Sequence, residues 1–387
     1  MKRSVKVLYV HSSAVLYGSD RTLLHLIQFL DQARFQPVVV LPESGPLVSA
    51  LEAYGAEVHI IPLSILHRSL SPRYWVQFAG RLWTSTRAIT RLIREQGVGL
   101  VHTNTAHVFN GALASRMAGV PHVWHIREMQ LGMSRLGGMF SVLICRTSAA
   151  ILVMSQAVRD AFRWSGTCSA KVHAVYDGVD TERFVPPEDQ RALREAIGMP
   201  TDALLVGMVG RIAHWKGQAS FLRAAALVHQ QQPQAQFFVV GDAVTAHDHH
   251  LKQELVQLTQ DLGLTDAVTF TGFRADVPHI MAALDVFVLP SELPEPWGLV
   301  VLEAMASGCP VVATKQGGPL ESVLDGETGY LVPPADPEAM AHALLTLLQN
   351  PQQAQAMGVA GRARCVEHFP LGQAAREVMA HYVALLS

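Results

Sequence analysis

Cysteine is scarce in this chain, and so is charge. Only four cysteines occur in 387 residues, Cys145, Cys168, Cys309 and Cys365. None stands in a CxxC pair or in a Cys/His ligand spacing, which excludes a zinc ribbon and a disulfide-framed scaffold. The scatter fits free thiols in a reducing cytosol. Charged residues are 16% of the chain and hydrophobic ones 49%, enough apolar material for substantial cores. No apolar stretch reaches the ~20 residues that a membrane-spanning helix needs. The opening MKRSVKVLYV is too short an apolar run for a signal peptide and ends at His11-Ser12-Ser13, so a first buried strand is expected there. Short repeats and low-complexity tracts are absent. No GxGxxG turn follows a strand, which removes the main support for a nicotinamide-binding reading. No nucleic-acid motif is present and the pI is near 6.8, so nucleic acid is not expected as a partner.

What is present is the grammar of two α/β domains. The length exceeds that of a usual single domain. Short buried strands are expected at Val5–Val10, Val38–Leu41, Val58–Ile61, Leu100–Thr103, Val123–His125 and Ala150–Met154. Helices are expected at Arg21–Leu30, with apolar spacing at Leu23, Leu24, Ile27 and Leu30, and at Leu47–Tyr54. The pattern restarts with strands at Leu204–Val209, Gln236–Val240, Val268–Phe270, Val286–Leu289 and Val311–Ala313, and a helix at Ala219–Gln230. Such alternation means parallel sheets with crossover helices. The polar, Pro-containing TERFVPPEDQ marks the boundary. The expected domains are 1–182 and 183–369, with a terminal helix over 370–387.

The net charge of −2 conceals an asymmetry. Residues 1–180 carry 18 Lys and Arg against 10 Asp and Glu, net +8, and residues 181–387 carry 12 against 22, net −10. The basic half is suited to an anionic partner. Its arginines concentrate in one stretch, Arg73, Arg81, Arg87, Arg91 and Arg94, interleaved with Tyr74, Trp75, Phe78 and Trp83 at roughly helical spacing. Two readings stand: an interfacial helix for an anionic membrane, or a surface helix with aromatics inward and arginines in water.

The most informative segment is PSELPEPWGLVVLEAMASGCPVVATKQGGPLE, from Pro290 to Glu321. Glu295 lies in a Pro-rich turn. Gly298 then opens an apolar run that reads as a short buried helix, stopped at Ser307-Gly308 and carrying Glu303. Free N–H groups at such a helix start, from Gly298 and Leu299, receive anions. A carboxylate one to two turns in can accept from a ribose diol. Upstream, Gly210-Arg211 ends a strand and Lys216-Gly217 precedes a helix. An arginine fork and a lysine point charge suit a departing diphosphate. In isolation the two could equally be surface residues of a βα loop.

The spacing Glu295-x7-Glu303 within EPWGLVVLEAMASGCPVVAT, together with VHTNTAHVFNGALASRMAGVPHVWHIRE, VGRIAHWKG and FTGFRADV, resembles the retaining glycosyltransferases of family 4. The resemblance spans the chain. It implies the α/β GT-B fold, two Rossmann-like domains facing a central cleft. It further implies transfer of a sugar from a nucleotide-diphosphate sugar to a glycan, lipid-linked or small-molecule hydroxyl. A GT-B nucleotide-sugar epimerase, a sugar phosphorylase and a non-catalytic sugar-nucleotide module are the alternatives.

By the same resemblance Arg211, Lys216, Gly298, Leu299 and Glu303 hold the donor, and Phe273-Arg274 stands where the nucleobase is met. Glu295 and His125 lie at the transferred sugar. His125 is expected at a strand end, pointing into the cleft, or else as a core histidine bonded to backbone. Arg127-Glu128 after it reads as an ion pair or as acceptor contacts. Gly18 belongs to a first turn, Leu16-Tyr17-Gly18-Ser19-Asp20, in which the family usually has two adjacent glycines and this chain has one. No metal or other cofactor is implied, since Arg, Lys and a helix start replace it. The cluster His247-Asp248-His249-His250 lacks catalytic zinc spacing and reads as a solvated loop with an N-cap aspartate. A cytoplasmic protein, peripheral at the inner membrane face, is the expected setting.

Overall fold

The structure, a computed structural model, describes residues 4–16, 18–66, 71–129, 133, 137–162, 164 and 166–387. The chain divides into two compact units, Met1–Asp177 with Gly372–Ser387, and Gly178–Leu371. The first crossing thus falls five residues before the expected 182/183 boundary.

Unit 1 runs β1 (Val5–Val10), α1 (Gly18–Gln28), β2 (Phe35–Leu41), α2 (Pro46–Ala53), β3 (Glu57–Ile60), α3 (Pro72–Gln96), β4 (Val98–Thr103), α4 (Asn110–Ala118), β5 (His122–Ile126), α5 (Gly137–Thr147), β6 (Ala150–Val153), α6 (Gln156–Ala161) and β7 (Val172–Ala174). Its strands form a parallel sheet in the order β3-β2-β1-β4-β5-β6-β7. Strands covered on both faces become unbroken apolar runs, as in Val38–Leu41, all at or below 1% exposure. Helix α1 starts at Gly18, three residues ahead of expectation, with Asp20 in its first turn where the helix dipole favours an acid. Its buried side is Leu23, Leu26 and Ile27, with Leu24 half-buried.

Unit 2 repeats the plan with α7 (Gln190–Ala196), β8 (Leu204–Val209), α8 (Gln218–Gln231), β9 (Ala235–Val240), α9 (Ala246–Asp261), β10 (Val268–Gly272), α10 (Val277–Ala283), β11 (Val286–Leu289), α11 (Leu299–Ala306), β12 (Val311–Thr314), α12 (Pro319–Ser322), β13 (Tyr330–Val332), α13 (Pro337–Gln349) and α14 (Pro351–His368). The parallel sheet order is β10-β9-β8-β11-β12-β13. The last helix, α15 (Gln373–Leu386), belongs to unit 1, where Ala375, Val378 and Tyr382 pack in one core with Val7, Leu23 and Leu100.

Both sheets reverse strand order once, between β1 and β4 and between β8 and β11. At such a point the loops leaving neighbouring strands part to opposite faces and open a crevice beyond the strand ends. Among the described residues no helix is long and apolar enough to cross a membrane.

The expectation of four free thiols is corrected. Cys145 on α5 is disulfide-bonded to Cys168 in the short 3-10 turn Gly166–Lys171, with Cα atoms 5.6 Å apart. Their separation of 23 residues hid the pairing, since the fold alone brings α5 and the turn together. Cys309 and Cys365 are free and buried. Burial pushes both thiols up, Cys365 to about 12, so neither is a ready nucleophile.

Candidate active site

At the switch point of unit 2 the structure brings together two of the residues that the motifs singled out, Lys216 and Glu295. Strand β8 delivers Gly210-Arg211 and, through the 3-10 turn His214–Lys216, the lysine. Strand β11 delivers the segment that contains Glu295. Lys216 Nζ lies 2.7 Å from Glu295 Oε1, with the lysine side chain 16% exposed and the carboxylate 6%. Ser291 Oγ donates to the same carboxylate oxygen at 2.6 Å. Lys216 also lies over the Trp215 ring, 4.2 Å from its centroid. A buried pair of this kind leaves a costly unbalanced charge when one partner is removed.

Backbone close approach fixes the geometry. Gly217 caps α8 at φ 73°, and a Cβ there would lie 1.9 Å from the Pro290 oxygen. That overlap shows how closely the β8 loop rides on the end of β11. The backbone N–H of Glu292 donates to the Trp215 oxygen at 2.8 Å, and Ser220 Oγ donates to the Glu292 carboxylate at 2.7 Å. On the other side, Gly317 bridges Glu295, and Gly318 N–H donates to the Glu295 oxygen at 2.8 Å. A Cβ at Gly317 would come within 2.2 Å of that oxygen. Ser291, Ser220, Glu292 and this glycine pair were not singled out from the sequence. The signal was there in GGP, inside the segment already quoted.

Gly298 is the left-handed N-cap of α11 at φ 78°, and Leu299 is its first residue. The first N–H groups of the helix therefore start beside the Glu295 turn. Glu303 lies on the same helix at 7% exposure. Arg211 is exposed, with Asp248 as an electrostatic neighbour. Phe273 is 69% exposed, and Arg274 grips Asp276 through Nε at 2.7 Å and Nη2 at 2.5 Å. That grip raises the arginine and lowers the aspartate from their ordinary values. The sheet order places β9 between β10, which precedes Phe273-Arg274, and β8.

The histidine cluster is corrected from a loop to a helix start. Thr245 is the N-cap of α9: its hydroxyl accepts from Asp248 N–H at 3.2 Å, while its own N–H donates to Asp248 Oδ2 at 3.0 Å. Asp248 thus closes a capping box. Among the described residues, no group of three or more His, Cys, Asp or Glu is placed to hold a metal ion.

In unit 1 the strand end expected at His125 falls one residue later. Strand β5 continues through Ile126, so His125 is an interior strand residue, 1% exposed, with its ring 5.3 Å from that of His102. Burial first, then the Arg127 charge, holds its imidazole well below the usual range, so it is neutral. Among the described residues neither ring nitrogen has a hydrogen-bond partner. The side chains of Arg127 and Glu128 do not pair with each other, although the Arg127 backbone N–H donates to Glu128 Oε2 at 3.2 Å. Arg127 Nη1 bonds Asp177 Oδ2 at 2.6 Å. Glu128 accepts from Thr105 Oγ1 at 2.6 Å and from Ala106 N–H at 2.9 Å. Gly18 keeps an ordinary φ, and a Cβ on it would meet nothing within 4 Å among the described residues. Its neighbour Tyr17 lies outside the described residues.

Two doubly wound parallel units, one with a cation–carboxylate pair beside a helix start at its switch point, define the GT-B class. Sequence models of two families match in turn: Glycosyltransferase Family 4 over residues 17–183 and Glycosyl transferases group 1 over residues 189–364. The chain is 33% identical over 299 residues to the GDP-mannose-dependent alpha-(1-6)-phosphatidylinositol monomannoside mannosyltransferase of Mycolicibacterium smegmatis, covering 74% of this chain and 76% of that one. It is 34% identical over 214 residues to the lipopolysaccharide core biosynthesis mannosyltransferase LpsB of Rhizobium meliloti, covering 55% of this chain and 60% of the relative. Among solved structures, Anabaena Alr3699/HepE in complex with UDP and glucose matches with TM-score 0.82 at 26% identity, over 98% of this chain and all of that one. The chain belongs to the group 1 glycosyl transferases, of the GT-B fold.

Proposed function

We propose that this protein moves a sugar from a nucleotide-diphosphate sugar to an acceptor hydroxyl with retention at the anomeric carbon. The observation that carries the reading is the Lys216–Glu295 pair at the β8/β11 switch point, beside the first turn of α11. Unit 2 binds the donor. Arg211 and Lys216 take the diphosphate, the N–H groups of Gly298 and Leu299 assist, and Glu303 accepts from the ribose diol. Glu295 meets hydroxyls of the transferred sugar while holding the lysine in place. Acceptor hydroxyl and leaving phosphate stand on one face of the sugar. The phosphate oxygen takes the acceptor proton as the bond breaks, and the two cations stabilise the charge that appears there. His125 is assigned no step, because its ring is buried among His102 and the unit 1 core. Phe273 and Arg274 are the proposed nucleobase contacts. The solved relative bound to UDP supports the donor class. No metal is required in this reading.

The acceptor half belongs to unit 1, which also offers a membrane-facing helix. On α3 the side chains of Trp75, Val76 and Trp83 are exposed together with Arg73, Arg81, Arg87, Arg91 and Arg94. Arg87 stacks over Trp83 at 4.9 Å. Phe78, expected in the same wedge, is half-buried against Tyr74 and Trp75. This face suits peripheral attachment at an anionic surface and a lipid-linked glycan as acceptor. The E. coli galactosyltransferase that uses a GlcNAc-diphosphoundecaprenol, 24% identical over 358 residues, supports that class.

Calorimetry with UDP, GDP and ADP, with and without EDTA, is the first test. One nucleotide binding equally well in chelator is expected. Product analysis by NMR then reads the anomer. An inverted product would end the retaining mechanism, and turnover without acceptor, to an epimer or with inorganic phosphate, would end the transferase reading.

A further inference from the structure

We propose that Arg127, Asn104 and His11 are positioning residues, a one-way hydrogen-bonded chain that fixes the tautomer of His11 and, through it, the first βα loop of unit 1. The chain lies across the β1/β4 switch point. His11 directly follows β1, Asn104 directly follows β4, and Arg127 directly follows β5. All are buried: His11 and Asn104 at 0%, Arg127 at 5% and Asp20 at 1%. Arg127 Nε donates to Asn104 Oδ1 at 2.7 Å. The other end of the Asn104 amide lies 3.2 Å from His11 Nδ1. His11 Nε2 lies 2.8 Å from Asp20 Oδ1, at the start of α1.

The direction follows from elementary donor and acceptor chemistry. A guanidinium can only donate, so it fixes the Asn104 oxygen on its own side. The amide nitrogen must then face His11, and it too can only donate. His11 Nδ1 is therefore an acceptor and carries no proton. Its proton sits on Nε2 and is donated to Asp20. Arg127 is held in turn by Asp177, the last residue of this stretch of unit 1. One irreversible donor at the end of β5 thus orients three groups and reaches the loop that precedes α1.

The same loop has a second anchor. Leu47 N–H donates to the Ala14 oxygen at 3.0 Å, and a Cβ on Gly45 would come within 2.4 Å of that oxygen. The described part of the loop is thus tied down at two points, Ala14 and the His11–Asp20 link. Resting on the proposed function, in which unit 1 receives the acceptor, we assign the chain to acceptor placement rather than donor binding.

The test uses the full-length protein. With 15N-labelled histidine, the His11 signals are identified by their loss in His11→Gln. At neutral pH the proton is expected on Nε2 alone. In Asn104→Asp the new oxygen has no hydrogen to give, so His11 is expected to hold protons on both nitrogens. A wild-type proton on Nδ1, or an unchanged His11 in Asn104→Asp, overturns the chain. For positioning, His11→Leu is expected to lower turnover or raise the acceptor KM by about ten- to a hundredfold, as small misplacements do. Nucleotide affinity should stay within about twofold. His11→Gln, which can accept and donate in the same order, is expected to recover most of that loss. Equal activity in Leu and Gln variants overturns the positioning role. If no sugar transfer is found with any donor, the proposed function fails, and the chain is still judged by the His11 tautomer.

Discussion

The two units share one architecture and fill it with different polar side chains. In each, a parallel sheet reverses order once, and the polar residues collect at that reversal. In unit 2 the crevice holds ions of both signs, Lys216 and Glu295, with Glu303 at 7% exposure on the adjoining helix. Unit 1 has a buried ion pair of its own, Arg127 with Asp177, and adds buried histidines: His11, His102, His122 and His125 are all at or below 3% exposure. No histidine of unit 2 is buried among the described residues. Unit 1 also carries the disulfide, while the two free thiols lie in unit 2. A doubly wound sheet therefore decides where polar groups gather, and the side chains decide whether buried imidazoles join the ions there. The difference is open to experiment through acid, redox state and single substitutions.

Acid should separate the units most strongly. Burial pushes His122 down to about 3 and holds His102 and His125 well below the usual imidazole range. Below about pH 6.5 the unfolded chain binds protons that the folded one refuses, so stability falls as pH falls from there toward the folded values. Over the window from pH 7.5 to 5.5 all three act in the same sense, each costing unit 1 at most on the order of 1 kcal/mol. Unit 2 has the opposite case in Asp276, lowered chiefly by its hydrogen bonds from Arg274. Its contribution is present above 3.8 and is lost only at more acid pH. Hydrogen exchange resolved by unit should show unit 1 losing protection over this window while unit 2 keeps it. Parallel loss in both would remove the contrast.

Next in size is the disulfide. Closing a loop of 23 residues restricts the unfolded chain by about 3 kcal/mol in the loop-entropy account. Cys145→Ser combined with Cys168→Ser should lower the stability of unit 1 by that order and leave nucleotide binding to unit 2 unchanged. Denaturant unfolding with separate probes in each unit measures it.

A smaller effect is expected within unit 2. Glu303→Ala should weaken nucleotide binding by about 1.5–3 kcal/mol, the worth of a hydrogen bond to a charged acceptor. Calorimetry on the variant reads this directly, and wild-type affinity would remove Glu303 from the site. The smallest effect belongs to Arg274→Ala. Its pair with Asp276 is about one-third exposed, so stability should change by no more than about 1 kcal/mol. A larger loss of nucleotide affinity than of stability would assign Arg274 to the ligand rather than to the loop.

Much of this was legible in the chain. Strands β8 and β11 fall where the apolar runs placed them, because buried parallel strands are apolar throughout. Strands β7 and β13 were not foreseen, as each is three residues at a sheet edge, too short for periodicity to register. The Glu295-to-Glu303 segment, with its glycine cap and helix stop, was readable because caps and turns are local chemistry. The burial of His125 against His102 was not, because the neighbouring strand β4 that supplies His102 is set by the sheet order. Nor could Arg127 be paired from sequence. Its partners Asn104 and Asp177 stand 23 and 50 residues away.

By itself the sequence determined the class of protein. Two α/β repeats, an N-terminal half of +8 against a C-terminal half of −10, and glycines and prolines that set Glu295 before a helix start are all local or compositional. Tertiary structure alone decided which loops became neighbours. Strand order is settled by the packing of helices on two faces of a sheet, which no local pattern encodes. That order brought Lys216 to Glu295 across 79 residues, bonded Cys145 to Cys168, and set His11 against Asn104 across 93.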